Sequence, residues 1–363
     1  MRGIDVCCSG NPYRVTIGAG ALTALADELN RLGFDDTVIV VTDATVAELF
    51  GEGLERHLAE SRFSPHLIVI PPGEDQKCLE MAGVLYGRLN ELGAERSTPL
   101  VAFGGGVVGD LTGFVAATYF RGLPLVQVPT TLLAQVDSSI GGKVAVNHGT
   151  LKNNVGAFHQ PVAVITDTSL LTHLPEREFR NGLAEVIKSA MIRDETFFRY
   201  LESQMECVTA RDSEVLERIV ARTVEIKASV VAEDEKDTGL RNILNFGHTV
   251  GHGIESATSF SLCHGEAVSI GMIAATQIAI AMNMVSMEVF DRLKSLLQRA
   301  GLPVAIPDFV DLGAVLDAMS RDKKMAKGRL RFILPVRTGV VEIRGDVSMD
   351  LLRRTLESCY AAA

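Results

Sequence analysis

Two patterns in the 363 residues predict an α/β domain followed by an all-α one. Over the first half, short apolar runs alternate with helical patterns. From about residue 175 onward only helical periodicity continues, apart from one late strand at 329–333. A third observation is that polar, glycine-rich stretches directly follow several of the apolar runs. Strand–helix alternation means a parallel sheet covered on both faces, with ligands at the carboxyl ends of its strands. The boundary is placed at 176/177, giving domains 1–176 and 177–363.

The strands are read from short apolar runs at 37–42, 66–70, 99–103, 125–128 and 162–166, separated by helical patterns such as 21–32 and 78–92. Asp43 ends the first run, and Pro72, Gly73 and Glu74 follow the second. After the third comes Gly104-Gly105-Gly106-Val107-Val108-Gly109-Asp110, which matches GxGxxG. Backbone amides at a helix N-terminus there can cradle a pyrophosphate. The loop does not lie at the first strand–helix turn, and no acidic residue follows about twenty positions later. Asp43 therefore becomes the candidate for a ribose contact, and a tight glycine turn without ligand explains the loop nearly as well. The stretch 129–154 carries Thr130, Thr131, Asp137, Lys143, Lys152 and Asn153 among glycines. Lysines beside hydroxyls and flexible backbone suit a phosphate, and residues 137–154 are expected to form a long polar connection rather than core.

In the second half, Glu185 and Lys188 stand at i and i+3 of a helical pattern, as an ion pair or as a ligand beside a cation. A helix at 214–231 presents Lys227 before an acidic turn at 233–237. Residues 241–252, RNILNFGHTVGH, are read as one helix. Arg241, Asn245, His248 and His252 then fall at i, i+4, i+7 and i+11, on a single stripe. A buried helix does not align a cation, an amide and two imidazoles unless something polar lies opposite. Two imidazoles four residues apart can share a divalent metal, with His264 near at hand and a carboxylate from another helix completing the site. The alternative of satisfied core histidines is weaker for four aligned polar groups than for a lone HxxxH.

Composition narrows the partners. A net charge of −10 and a pI near 5.4 argue against nucleic acid and against an anionic membrane. The apolar run at 268–285 is interrupted by Ser269, Gly271, Thr276, Gln277 and Asn283, so a buried helix is expected rather than a membrane span. Six cysteines show neither CxxC nor a disulfide framework, so free thiols in a reducing cytoplasmic setting are expected. No signal peptide is expected, because no basic segment followed by an apolar core opens the chain.

Taken together, GGGVVGDLTGFVAATYFRG, PTTLLAQVDSSIGGKVAVNH, KNNVGAFHQP, GLAEVIK, LRNILNFGHTVGHGIE and HGEAVSIGM resemble the 3-dehydroquinate synthase family in order, spacing and residue type. The resemblance runs from roughly residue 43 to 324. It implies a Rossmann-like nucleotide-binding α/β domain followed by a helical metal-binding domain, with the active site in the cleft between them. A zinc or cobalt ion would be held by Glu185, His248 and His264, and His252 would stand near the substrate phosphate instead of on the metal. NAD contacts would fall on Asp43, Gly73, Glu74 and Lys77, and on Gly106, Val107, Val108, Gly109 and Asp110. Further contacts would come from Thr130, Thr131, Lys143 and Lys152, and from Leu170, Leu171, Thr172 and His173. The substrate pocket would draw on Asp137, Lys143, Lys152, Asn153 and Lys188, then on Lys227, Arg241, Asn245 and Lys324. Arg121 would reach the phosphate from the second subunit of a homodimer.

The implied reaction turns 3-deoxy-D-arabino-heptulosonate 7-phosphate into 3-dehydroquinate and phosphate, a step of the shikimate pathway. It comprises transient oxidation by NAD, phosphate elimination, re-reduction and intramolecular aldol closure. Two rivals share the layout: a cyclase of a neutral or amino analogue, and a metal-dependent NAD alcohol dehydrogenase. Lys227 and Arg241 together favour a substrate with a carboxylate. Asp237 stands where a glutamate is expected, and Leu151 where glycine or alanine is commoner.

Overall fold

The computed structural model describes residues 1–8, 12–149, 151–258, 261–325 and 330–360, with the side chains of 321–325 outside that description. It divides into two compact units. One is Met1–Pro175 with Leu216–Lys236, and the other is Glu176–Val215 with Asp237–Ala363.

The first unit is built on a sheet of β1 (Arg2–Val6), β2 (Tyr13–Gly18), β3 (Thr37–Asp43), β4 (Ser64–Ile70), β5 (Leu100–Gly104), β6 (Leu125–Pro129) and β9 (Ala163–Asp167). Its order is β1-β2-β9-β6-β5-β3-β4, parallel throughout except for the β1–β2 pair. The five apolar runs are β3, β4, β5, β6 and β9, and the sixth parallel strand, β2 beside β9, lies outside them. Val38 and Val40 face one core with Leu25, Leu29 and Leu54, while Ile39 and Val41 face another with Leu85, Leu111 and Phe114. Helices therefore cover both faces, as a parallel sheet requires. β3 is followed by β4 on one side and β5 by β6 on the other, so the connections leaving β3 and β5 run in opposite directions and open a crevice at the ends of these two strands.

Two sequence expectations for this unit change. The stretch 137–154 is not a loop. A π-helical turn, Ala134–Ser138, leads into an antiparallel hairpin of β7 (Lys143–His148) and β8 (Leu151–Phe158). Val144 and Val146 bury one side of β7, whereas β8 is exposed almost throughout, so its lysine and asparagines give no apolar alternation. The second change concerns the Ser213–Glu233 helix, which the 176/177 boundary assigns to the second domain. From Leu216 onward it packs with the first unit. Polar contacts tie it there, from Arg2 to Glu217 at 3.4 Å and from Gln160 to Glu235 at 2.9 Å.

The second unit is mainly helical, with a hairpin of β10 (Phe332–Arg337) and β11 (Val340–Arg344). Here the single helix read over 241–252 is broken. Leu240–Asn245 is a 3₁₀ turn, Gly247 adopts a left-handed φ of 83°, and a new helix runs over His248–Ala257. The break lies where two backbones cross. A Cβ on Gly271 would stand 1.9 Å from the Gly247 carbonyl oxygen, and one on Gly247 only 2.7 Å from that of Val268. The restart places Arg241 and Asn245 on a different element from His248 and His252, so the four-residue stripe does not exist. The i, i+4 relation of the two histidines survives. No helix of the described residues is long and apolar enough to cross a membrane.

Since nothing can yield around Gly271 except backbone, Gly271→Ala should cost about 2 kcal/mol by overpacking. Urea unfolding monitored by circular dichroism reads this as a lowered midpoint at unchanged slope. A midpoint equal to the parent's would contradict the close approach.

Candidate metal and nucleotide sites

Glu185 sits on the Glu176–Arg193 helix, 1 % exposed. One turn earlier, the Asn181 side-chain oxygen accepts a hydrogen bond from the Gly265 N–H at 2.5 Å, and a Cβ on Gly265 would lie 2.1 Å from the Asn181 carbonyl oxygen. The His264–Ala281 helix therefore begins directly against the helix of Glu185, with His264 as its first residue. Its start is held further by Glu266, which accepts from the Cys263 N–H at 2.8 Å and from both arms of Arg177 at 2.9 and 2.8 Å. His248 is the first residue after the glycine break. The Phe246 carbonyl oxygen lies 3.2 Å from its Nδ1, which leaves Nε2 to face inward.

These placements converge on one oxygen. Glu185 Oε1 stands 3.7 Å from His248 Nε2 and 3.6 Å from His264 Nε2, and forms no hydrogen bond, while Oε2 pairs with Lys188. A buried carboxylate oxygen without a donor, facing two imidazole nitrogens, is where a cation fits. His252 lies one turn beyond His248, and one ring nitrogen from each of His248, His252 and His264 falls within 4.8 Å of the others. Two donor sets are thus geometrically open: three imidazoles, or Glu185 with His248 and His264. The second set would use the orphaned Glu185 oxygen, and His252 is the exposed one of the three imidazoles.

The electrostatics place an ionised carboxylate between a neutral imidazole and a protonated one. Burial alone would raise the Glu185 carboxyl, but the charges of Lys188 and His264 outweigh it and hold it at about 2. Burial and then the Lys188 charge push His248 well below its usual range, so it is neutral, as a ligand must be. For His264 burial acts downward, and the carboxylates of Glu185 and Glu255 overcome it to hold the ring at about 10. Glu255 closes the stretch LRNILNFGHTVGHGIE, but nothing in its spacing on the helix singles it out. It is 5 % exposed and lies 3.4 Å from His264 Nδ1.

In the first unit the nucleotide candidates gather at the carboxyl ends of parallel strands. Asp43 ends β3 and caps the next helical turn, accepting from Thr45 N–H at 2.9 Å and Val46 N–H at 3.0 Å. The glycines after β5 are required by packing: a Cβ would stand 2.6 Å from Val108 at Gly104 and 2.9 Å from Gln127 at Gly109. They also let the Gly106–Thr118 helix begin with the bare amides of Gly106, Val107 and Val108. Gly73 (φ 121°) leads into Glu74, which accepts from the Asn147 side chain at 2.9 Å. Burial raises the Asp110 carboxyl and the Lys77 ammonium 2.5 Å away offsets this only in part. Thr130 is buried, and the Thr131 hydroxyl accepts from Ala134 N–H at 3.2 Å. Leu170 and Leu171 are buried in the Thr168–His173 turn, with Thr172 and His173 exposed beside an apolar cleft of about 430 Å³.

Lys143, Lys152 and Asn153 are exposed on the hairpin. Lys227 donates to both the carbonyl and Oδ1 of Asp137 at 2.6 Å, so these two sequence candidates meet. In the second unit Arg241 is 2 % exposed while Asn245 is exposed. The side chain of Lys324 lies outside the described residues. All six cysteines are among the described residues, and none forms a disulfide there.

A cation at His264 must displace the proton held there. Zinc affinity, measured by chelator competition, should rise about tenfold per pH unit from 7 to 9 and level off towards 10. A pH-independent affinity across that range would contradict this arrangement.

The chain is similar to known proteins over nearly its whole length. Family models described as 3-dehydroquinate synthase N-terminal and C-terminal match residues 67–181 and 182–325. A curated 3-dehydroquinate synthase of Dehalococcoides mccartyi is 48% identical over 339 residues, covering 93% of this chain and 94% of that protein. Among solved structures, 2-deoxy-scyllo-inosose synthase complexed with carbaglucose-6-phosphate, NAD+ and Co2+ aligns at a TM-score of 0.91 and 28% identity, covering 99% of this chain and 100% of that one. A 2-epi-5-epi-valiolone synthase of Streptomyces hygroscopicus, with NAD+ and Zn2+ bound, gives 0.89 and 29%, covering 97% and 98%. Two matched family models over most of the chain, and near full-length identity approaching one half, place this protein in the 3-dehydroquinate synthase family.

Proposed function

We propose that the protein is a 3-dehydroquinate synthase, converting 3-deoxy-D-arabino-heptulosonate 7-phosphate to 3-dehydroquinate and phosphate with NAD and a divalent metal, zinc or cobalt. The observation that carries this is the unpartnered Glu185 oxygen between the Nε2 atoms of His248 and His264. When bound, the metal supplies Lewis acidity to a substrate hydroxyl and NAD a reversible hydride acceptor. Lys188 keeps Glu185 ionised and turned towards the imidazoles. Arg241, buried and permanently charged, offers a planar fork to a substrate carboxylate. Asp137 holds the Lys227 ammonium in place as a second cation of that kind. His252, exposed one turn from His248, and Lys143 and Lys152 on the hairpin suit the phosphate. Asp43 and the helix start at Gly106 suit the dinucleotide, with Lys77 and Asp110 beside them.

A homodimer belongs to this reading. Phe120 and Arg121 are consecutive non-glycine residues at φ 49° and 67°, and Phe120 is 47% exposed. Each such conformation costs about 1–2 kcal/mol and is kept where surrounding structure determines it. A partner subunit covering Phe120 and receiving Arg121 at its phosphate site supports that geometry. A cytoplasmic setting agrees with the free thiols.

Metal-loaded protein given NAD+ and the heptulosonate phosphate should release phosphate with no lasting absorbance from NADH, and Glu185→Ala should slow release about a thousandfold or more. Stoichiometric NADH would make it a dehydrogenase, and release from sedoheptulose 7-phosphate instead would make it a neutral-sugar cyclase. Mixing inactive Arg121→Ala and Glu185→Ala subunits should restore about a quarter of parental activity, since half the dimers then carry one complete site. No recovery after verified subunit exchange would contradict a shared site.

A further inference from the structure

We infer that Glu255 is a positioning residue for the metal ligand His264: its carboxylate accepts the Nδ1 proton and so fixes Nε2 as the atom that binds the cation. The inference rests on the metal site proposed above and adds a residue to it. The His264 ring lies between two carboxylates. Both Glu255 oxygens are 3.4 Å from Nδ1, and on the opposite edge Nε2 is 3.6 Å from Glu185 Oε1. Glu255 is nearly as buried as Glu185, and burying a second carboxylate so close to the first is costly unless it has a hydrogen-bonding task.

The backbone of His264 is already fixed, by the Asn181–Gly265 hydrogen bond and by the Arg177–Glu266 fork at the helix start. What remains free is rotation of the imidazole, and a carboxylate acceptor at Nδ1 removes that freedom. His248 shows the same arrangement with a different acceptor, the Phe246 carbonyl at its Nδ1. Both ligand rings therefore present Nε2, one backed by a neutral carbonyl and the other by an ion. The ionic acceptor makes His264 the more basic donor of the two. Glu255 shares the His248–Ala257 helix with His248, two turns apart, so one helix carries one ligand and the orienting group of another.

The test uses the full-length protein with cobalt and zinc affinities from chelator competition, and circular dichroism to establish folding. Glu255→Gln preserves shape and removes the charge. It should weaken both affinities about 10–100-fold and shift the visible cobalt spectrum, while the metal-free protein still melts cooperatively. In a His264→Ala background the same substitution should have no further effect on affinity, because its route is through that ring. Affinity within twofold of the parent in folded Glu255→Gln overturns the inference, and so does an undiminished loss in the His264→Ala background. Should Glu255→Gln fail to fold, Glu255→Asp carries the same comparison with the charge retained and the reach shortened. Failure of the parent itself to bind cobalt, or binding untouched by Glu185→Ala, would overturn the metal reading and is thereby told apart.

Discussion

An ionised carboxylate held almost wholly out of water is the constraint on which the second unit depends. Glu185 is tolerated because Lys188 neutralises one oxygen and two imidazoles face the other. The compensation is incomplete, since Oε1 lacks a donor. Incomplete compensation of this kind costs stability in the metal-free protein and favours cation binding, which links the packing of the unit directly to its chemistry.

The geometry around that oxygen comes from places where side chains are absent. Gly247 and Gly271 let two helices approach at backbone contact, and the resulting break aims His248 inward. Gly265 does the same for the start of the next helix against Asn181. Asn181 and Glu185 are one turn apart, so the contact that docks His264's helix also sets the distance between His264 and its carboxylate. In the first unit the glycines after β5 serve packing first, and by doing so leave helix amides uncovered at a strand end. In both units a group of candidate site residues lies beside a close backbone approach.

What the sequence made legible follows from which forces are local. The central strands β3, β5, β6 and β9 were readable because burial on both faces leaves uninterrupted apolar runs, whereas β2, with exposed residues among its buried ones, was not read. β8 was not, because an exposed strand rich in lysine and asparagine has no period to detect. The break at Gly247 depends on a glycine far along the chain, so a local reading continued the helix through it and drew a stripe that the structure lacks. Periodicity alone suggested His248 and His252 as a pair. On residues alone Glu185 was one of two readings, an ion pair or a ligand beside a cation, and only the family resemblance assigned it to the metal with His248 and His264. Glu255 closes the stretch LRNILNFGHTVGHGIE but was assigned no role, because its role is defined by what it faces in space. Residues 216–236, read from sequence as part of the helical half, pack with the first unit, and the difference has a similar reason: an amphipathic helix does not announce which core it covers.

The direct test of this account is the coordination sphere itself, read by anomalous diffraction at the zinc edge from metal-loaded crystals. The account predicts one ion bound by Glu185 Oε1 and by Nε2 of His248 and His264, with His252 outside the sphere. An ion held by the three imidazoles, with Glu185 still turned to Lys188 alone, would contradict it.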